Sequence, residues 1–406
     1  MIVFAREPIF DSKKALFAYQ LVFRDGDEGS LPEELITAQQ SAYQSGVGLN
    51  ALLQGYVSLI SISHEVVFAG IPDDFFPQET IIEVKTIEPE QQELLQALNR
   101  LRKQGYRIAM SAELPIDLDC IRLADYIKVD INSVSIVELR ELQKNAVAMD
   151  IQIIATGIET HEEFEKCIKA EFDYFQGHFF LARKYQPQDD LPASRIALLD
   201  LLGQTSNPQI DMERVRNTFE QDATLSYLLL RFINNPLINK SHRITSIKHA
   251  ITYLGEVMLR KFVAIISIAQ LNQGNAEELL QVSLVRAKYC ELIDAKIANK
   301  QDAMSAFMVG LFSLLDVILD RDMAILLGQV QISESISDAL LTQSGEYCKI
   351  LSSIKALESS NWLNFKSLAQ GLDLSEEVLH QAYQEAVNWN NDLHHQQSTL
   401  FPKARP

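Results

Sequence analysis

The sequence predicts a two-part molecule, an α/β barrel of the TIM type followed by an all-helical domain, and three observations carry that prediction. Short β-rich runs alternate with longer amphipathic segments through the first half of the chain; strand signals then vanish after the polar, proline-bearing stretch Tyr185 to Pro192; and 406 residues are too many for one ordinary core. The boundary falls in that stretch, giving a barrel domain over 1–188 and a helical domain over 189–406 with a polar C-terminal tail.

Taken in order, Val3 to Ala5 and Phe17 to Phe23 read as strands, followed by a helical stretch from Glu33 to Gln54 and a strand from Val57 to Ile62. Strand Ile81 to Val84 precedes helix Pro89 to Lys103, and strand Arg107 to Met110 precedes a short helix near Ile116 to Leu123. Strand Tyr126 to Val129 with helix Val134 to Asn145, strand Gln152 to Ala155 with helix His161 to Ala170, and a short strand near Tyr174 complete the set. This repeat implies parallel strands joined by helical crossovers and closed into a barrel, so polar groups at the strand C-terminal ends are candidate site positions.

Beyond Ala193 the apolar residues follow helical spacing. Leu225, Leu228, Leu229 and Phe232 share a face behind Asp222 as N-cap, Ser246 caps the next helix, and Gly255 stands where that helix ends. About ten helices are expected, and the polar run after Trp389 should fray.

Composition narrows the function classes. With 47% hydrophobic and 22% charged residues the chain matches a folded globular protein, and the longest strongly apolar run, Phe262 to Ala269, is too short to span a bilayer. No signal-peptide pattern opens the sequence, so a cytoplasmic location is expected. Cys120, Cys167, Cys290 and Cys348 are scattered and read as reduced structural thiols. A net charge of -18 opposes binding to long nucleic acid. Glu33, Glu34, Glu88, Glu90 and Glu93 stand at helix starts, where the macrodipole favours anions. No Gly-rich phosphate loop, nucleophile elbow or zinc spacing is found.

Several motifs carry a resemblance. Arg6-Glu7-Pro8-Ile9-Phe10-Asp11 and Tyr19-Gln20-Leu21-Val22-Phe23-Arg24 are followed by Ile82-Glu83-Val84, Gly105 to Met110 and Tyr126-Ile127-Lys128-Val129-Asp130, and then by Ile154 to Thr160 and Phe175 to Phe180. In this order they resemble the EAL-type barrel of cyclic-di-GMP phosphodiesterases. Glu220 to Asn234 and Ile244 to Gly255 resemble the HDOD domain, so the whole chain resembles the EAL-HDOD signalling family.

That resemblance implies two-metal phosphodiester hydrolysis, in which carboxylates and an asparagine hold divalent ions. Here the positions implied for those ligands are Gln20, Ser61, Ser111, Ala112 and Thr156, with Thr86 three residues after Glu83. A neutral amide, hydroxyls and a methyl are poor ligands for Mg²⁺ or Mn²⁺, so the barrel is expected to be a degenerate, non-catalytic one with no metal or cofactor. Rescue would require ligands from Glu113, Asp117 or Asp119. Arg24, Glu83, Lys128, Asp130, Glu159 and Gln176 remain as a relict pocket. Lys128 and Asp130 share a strand face toward the mouth, where Lys128 would pair with Glu83 or Asp130 in place of lost metal charge; alternatively Lys128, Arg24 and Gln176 would hold a dinucleotide phosphate.

The helical half lacks hydrolase signals too. Ser313-Leu314 stands where a His-Asp pair would follow Phe312, and no histidine lies between His249 and His380. His242 and His249 read as a loop and a helix face, and Asp316, Asp320 and Arg321 as an exposed charged face. The expected function is a regulatory interaction module docking a kinase, a cyclase or another regulator, with self-association into a homodimer as a further expectation. A non-hydrolysing cyclic-di-GMP receptor is the alternative, and an active phosphodiesterase ranks last.

Overall fold

The computed structural model describes residues 3–24, 53, 55–62, 71, 75–84, 91–111, 118–184, 191–206, 212–221, 223–234, 243–297, 302–330 and 332–400. Outside them lie the expected helix from Glu33 to Gln54, apart from Leu53, and Thr86, Glu88, Glu90, Ala112, Glu113, Asp117, Asp222 and His242. The chain divides into two compact units, Met1–Lys184 with Lys355–Ser367, and Tyr185–Ile354 with Leu368–Pro406.

In the first unit, β1 (Phe4–Asp11), β2 (Leu16–Phe23), β3 (Val57–Ile62), β4 (Thr80–Val84), β5 (Arg107–Ser111), β6 (Tyr126–Asp130), β7 (Gln152–Thr156) and β8 (Tyr174–Gln176) close into a barrel in sequence order. The helices here are α1 (Gln91–Lys103), α2 (Leu118–Ile121), α3 (Ile136–Met149) and α4 (His161–Lys169). From β2 to β8 every neighbouring pair is parallel, as alternation implied.

The expectation of an all-parallel barrel fails at β1, which runs antiparallel to both β2 and β8. Only Ser12 to Ala15 separate β1 from β2, whereas a parallel crossover needs about a dozen residues or more. The Asp11 carboxylate accepts from the N–H groups of Lys13 and Ala15, each at 2.8 Å, and Lys14 takes a left-handed φ of 61°, which closes the reversal. β1 is also longer than expected. Its proline is tolerated because β8 pairs only with Ile9 to Asp11, beyond Pro8.

Strand alternation fills the barrel in tiers. Ile9, Ala18, Leu59, Ile81, Ala109, Tyr126 and Ile154 form a buried apolar tier, one from each of seven strands, and Phe17, Val57 and Tyr174 pack against it. Phe17 stacks on Tyr174 with ring centroids 3.9 Å apart. The loop after β7 ends in a capping box: Thr160 Oγ1 accepts from the N–H of Glu163, whose carboxylate accepts from the N–H of Thr160, fixing the start of α4.

The second unit is helical, with twelve α-helical elements among the described residues rather than about ten. They are α5 (Ala193–Ser206), α6 (Met212–Gln221), α7 (Ala223–Ile233), α8 (Ile247–Leu271), α9 (Glu277–Asp294) and α10 (Ala303–Phe312), then α11 (Leu315–Leu319), α12 (Met323–Gln329), α13 (Glu334–Ser337), α14 (Gly345–Glu358), α15 (Trp362–Gly371) and α16 (Glu376–Leu400). The extra elements are single turns such as α13, too short for a periodicity to register. α14 and α15 contribute Lys355–Ser367 to the first unit.

Leu225, Leu228, Leu229 and Phe232 are buried together against α8, where Phe232 meets Phe262 at 4.5 Å. Ser246 Oγ accepts from the N–H of His249, capping α8, and His249 is exposed on the helix. At Gly255 (φ 68°, ψ 174°) the helical backbone breaks, but helix resumes at once and runs to Leu271, so the glycine is a kink rather than an end.

The C-terminal tail does not fray where expected, because α16 continues to Leu400 and buries Asn390 and Asn391. Asn390 Nδ2 donates to Gln281 Oε1 at 2.6 Å, so polarity there marks a buried contact with α9. Asp316, Asp320 and Arg321 are half-buried rather than exposed. Asp320 adopts φ 51° to end α11, and the N–H of Arg321 bonds to the Asp316 carbonyl at 2.9 Å, so these residues build a helix C-terminus. Among the described residues no helix is long and apolar enough to cross a membrane.

Candidate functional site at the barrel mouth

Two residues along each strand from the apolar tier, alternation places a polar side chain: Gln20 on β2, Ser61 on β3, Glu83 on β4, Ser111 on β5, Lys128 on β6 and Thr156 on β7. On reversed β1 the equivalent step from Ile9 leads to Glu7, which lies opposite Gln20. Gln176, opposite Ile9 at the end of β8, completes a polar ring at the C-terminal ends of the parallel strands, the face on which such barrels carry their sites.

The ring is tightly bonded. Lys128 Nζ lies 3.0 Å from Glu83 Oε1 and 3.1 Å from Oε2, and donates to Gln20 Oε1 at 2.8 Å. Glu83 Oε2 also accepts from Ser61 Oγ at 2.5 Å and from Gln20 Nε2 at 3.3 Å. Gln176 Nε2 donates to Gln20 Oε1 at 2.6 Å and to Glu7 Oε2 at 2.7 Å. Gln20, Ser61, Glu83, Lys128 and Gln176 are all buried, so each charge-assisted bond acts in a low dielectric. Gln176 Oε1, by contrast, finds no hydrogen-bond partner among the described residues.

Of the six residues assigned to a relict pocket, the ring unites Glu83, Lys128 and Gln176. Asp130 stands further out, where its Oδ1 accepts from the N–H of Asn132 at 2.9 Å and from Asn132 Nδ2 at 3.2 Å. Asn132 Nδ2 also reaches the Gly157 carbonyl at 3.1 Å, so Asp130 joins the loops after β6 and β7 instead of pairing with Lys128. Glu159 is 64% exposed and lies 3.7 Å from His178 Nδ1. Arg24 is half-buried just past β2, and its N–H bonds to the Val3 carbonyl. Thr156 Oγ1 donates to the Val129 carbonyl, Ser111 pairs in register with Lys128, and Asp119 is exposed on α2, 3.6 Å from Arg122. Glu7 was not among the sequence candidates, although its two-residue offset from apolar Ile9 on a strand is the signal that finds it.

The described ring residues present few of the converging oxygen donors that a two-metal centre needs. Divalent ions of the Mg²⁺ type need converging oxygen donors, and both oxygens of Glu83 are already engaged by an ammonium. Glu83 also accepts from an amide and a hydroxyl. Among the described residues no three His, Cys, Asp or Glu side chains are grouped as metal ligands. A cavity of about 450 Å³ opens at the opposite end of the barrel, lined by residues including Arg107, Asp125, Gln152 and Asp173. Two of its carboxylates serve the fold: Asp125 and Asp173 accept, each at 2.8 Å, from the N–H groups of Ile108 and Ile153 at the starts of their strands.

Residues 191–319 match the HDOD domain family. The helical half therefore carries an HDOD domain. Over almost its full length the chain is also similar to two bacterial proteins. It is 28% identical over 403 residues to the uncharacterized protein YuxH of Bacillus subtilis, covering 96% of this chain and 98% of that one. It is 27% identical over 400 residues to the cyclic di-GMP phosphodiesterase CdgJ of Vibrio cholerae, covering 96% and 92%. A solved structure similar to the chain is a standalone EAL protein from Vibrio cholerae in its c-di-GMP-bound form (15% identity, TM-score 0.33, 44% of this chain and 91% of that one). The chain resembles the EAL-HDOD proteins, with a closed eight-stranded barrel preceding the HDOD domain.

Proposed function

We propose that this chain is a catalytically inactive EAL-HDOD signal-transduction protein that acts as a regulatory module for other signalling proteins. The observation that carries this reading is the donor set of the polar ring, where Lys128 lies against both oxygens of Glu83 and Gln20 and Ser61 also donate to it. Without a converging carboxylate set, no metal is held to generate hydroxide or neutralise a phosphodiester. What such a protein offers is surface, presented to a kinase, a cyclase or another regulator, or to a second copy of itself. The test is hydrolysis of cyclic-di-GMP, the substrate named for the Vibrio relative, with Mg²⁺ or Mn²⁺. No turnover is expected; metal-dependent turnover that Glu83→Ala abolishes would overturn the reading.

One observation favours a second reading, that of a non-hydrolysing cyclic-di-GMP receptor. Gln176 Oε1 is a buried acceptor without a donor among the described residues, and its amide shares the acceptor Gln20 Oε1 with the Lys128 ammonium, a group that would face a phosphate. A receptor would be stabilised by about 2.7 kcal/mol when the dinucleotide stands a hundredfold above its Kd. Thermal-shift and calorimetric titrations read this directly, and a heat of binding without turnover in the parent, lost in Lys128→Ala with the fold unchanged, would establish it.

A further inference from the structure

One stretch of the helical half carries a charge opposite to that of the chain. From Ala223 to Ala276 the sequence holds one carboxylate, Glu256, against six cations, Arg231, Lys240, Arg243, Lys248, Arg260 and Lys261, although the whole chain has 54 acidic residues and a net charge of -18. Some of these cations are engaged within the fold. Arg231 Nη1 donates to the Tyr227 hydroxyl at 3.1 Å, buried Arg260 donates from Nε to the Thr205 carbonyl at 2.8 Å, and Lys261 lies 2.7 Å from Glu291. Arg243 and Lys248 are exposed, and among the described residues no carboxylate stands within ion-pair reach of either. Glu256 lies 3.9 Å from Arg260 instead.

The same segment exposes apolar surface, for a local reason. α8 buries Ala250 and Ile251 and leaves Lys248, His249, Thr252 and Tyr253 in solvent, the division of an amphipathic helix. On an unbroken helix Met258 would stand only about 20° round from Ile251, one heptad earlier, and would share its buried face. The break at Gly255 takes it off that face. Burial resumes at Leu259, whereas Tyr253, Val257 and Met258 are 47%, 55% and 42% exposed. Three large apolar side chains thus stand in water within 253–258, shortly after the uncompensated Arg243 and Lys248. A group of this kind, unlike a lone exposed side chain, marks an interaction surface.

We infer that this basic and apolar face of α8 docks an acidic amphipathic helix of a partner protein. Charge complementarity selects the acid. Two free cations beside apolar side chains attract carboxylates that flank an apolar stripe, and the acidic remainder of the chain repels the same carboxylates, which fixes where the partner lands. A second copy related by two-fold symmetry would set the cations of one face against those of the other. An anionic membrane calls for about four or more clustered Lys and Arg, and a nucleic acid presents a charge every ~1.7 Å, more than Arg243 and Lys248 can answer. The inference rests on the reading of a regulatory module, for which it names a surface and the chemistry of the partner.

The test is the fluorescence anisotropy of a fluorescein-labelled peptide of about 18 residues, leucine on one helical face and glutamate elsewhere, titrated with the full chain. Saturable binding is expected, and it should weaken as salt is raised. Binding should fall about tenfold when Arg243→Glu and Lys248→Glu are combined, and several-fold when Val257→Ser and Met258→Ser are combined. Both double variants change only exposed positions, so each should unfold at the parent's temperature. A peptide with glutamine in place of every glutamate should bind about tenfold more weakly than the acidic one. The inference is overturned by no binding to the folded parent, by either double variant binding as the parent does, or by the glutamine peptide binding as well as the acidic one. It is equally overturned if the charge-reversed variant loses attachment to vesicles of phosphatidylserine in phosphatidylcholine, or dissociates a dimer seen by sedimentation, since the face then belongs to a membrane or to a second copy. Turnover of cyclic-di-GMP would overturn the inactive reading and leave peptide binding as it is, so the two failures are distinguishable.

Discussion

Lys128 and Glu83, on strands β6 and β4, meet across the barrel interior with Nζ 3.0 and 3.1 Å from the two carboxylate oxygens. Both side chains are buried, so removing one strands the other's charge away from water. Lys128→Met should therefore lower stability by about 3–5 kcal/mol, read as a shift of the denaturant midpoint at unchanged slope. Adding Glu83→Gln should recover much of the loss, since an amide needs no counter-charge. A single variant as stable as the parent would show that the pair does not balance the ring.

The capping box gives a prediction with a pH signature. The N–H groups of Glu159 and Thr160 hold the Glu163 carboxyl below its usual value of 4.5, with the Glu159 bond the larger cause. A carboxylate whose folded value is depressed contributes stability above its unfolded value and loses it as pH falls through the folded one. Glu163→Gln should thus be less stable than the parent at pH 7, with the gap closing below about pH 4. Thr160→Ala should cost about 1 kcal/mol, measured by thermal unfolding.

Thiol accessibility separates the cysteines. Cys120, Cys167 and Cys290 are buried and Cys348 is half-buried, so alkylation of the native chain at pH 8 should label Cys348 first. Burial pushes the Cys167 thiol up to about 11 from 9.0, and burial with the nearby Asp294 pushes Tyr347 up to about 12 from 10.0. Both keep their protons longer folded than unfolded, so the stability they contribute is full below their unfolded values. It is lost as pH rises from about 9 to about 12. Early modification of Cys167 under native conditions would contradict its burial.

Two glycines are fixed by contact. Gly177, at φ 144°, lies against Ile158 so closely that an alanine Cβ would stand 2.1 Å from the Ile158 carbonyl oxygen. Gly310 on α10 faces the backbone of α9, where a Cβ would stand 2.3 Å from the Arg286 oxygen. Gly310→Ala should cost about 1–3 kcal/mol by overpacking, and Gly177→Ala about 3 kcal/mol or more because backbone strain adds to the clash. Urea unfolding of both variants measures the difference.

Much of this architecture was legible because alternation with period two is a local signal. The β-rich runs at Ile81, Arg107, Tyr126 and Gln152 announced strands of the barrel, and Glu83 and Lys128 could be placed on inward faces from sequence alone. The reversal of β1 was not legible from periodicity, which is blind to strand direction; the tight turn at Asp11 decides it. Asp130 illustrates a second limit. Sharing a face with Lys128 does not specify reach, and the loop side chain of Asn132 captures Asp130 instead. In the helical half, Asn390 read as tail because its polarity hides a buried bond to Gln281, more than a hundred residues earlier in the chain.

The apolar tier of Ile9, Ala18, Leu59, Ile81, Ala109, Tyr126 and Ile154 lies one step below the polar ring and shares no residue with it. Architecture and chemistry are thus written in separate registers of the same strands. A lineage can exchange a carboxylate for an amide or a hydroxyl at the upper register while the lower one continues to close the barrel. The shape of the barrel is thereby insulated from changes in whatever chemistry its mouth carries.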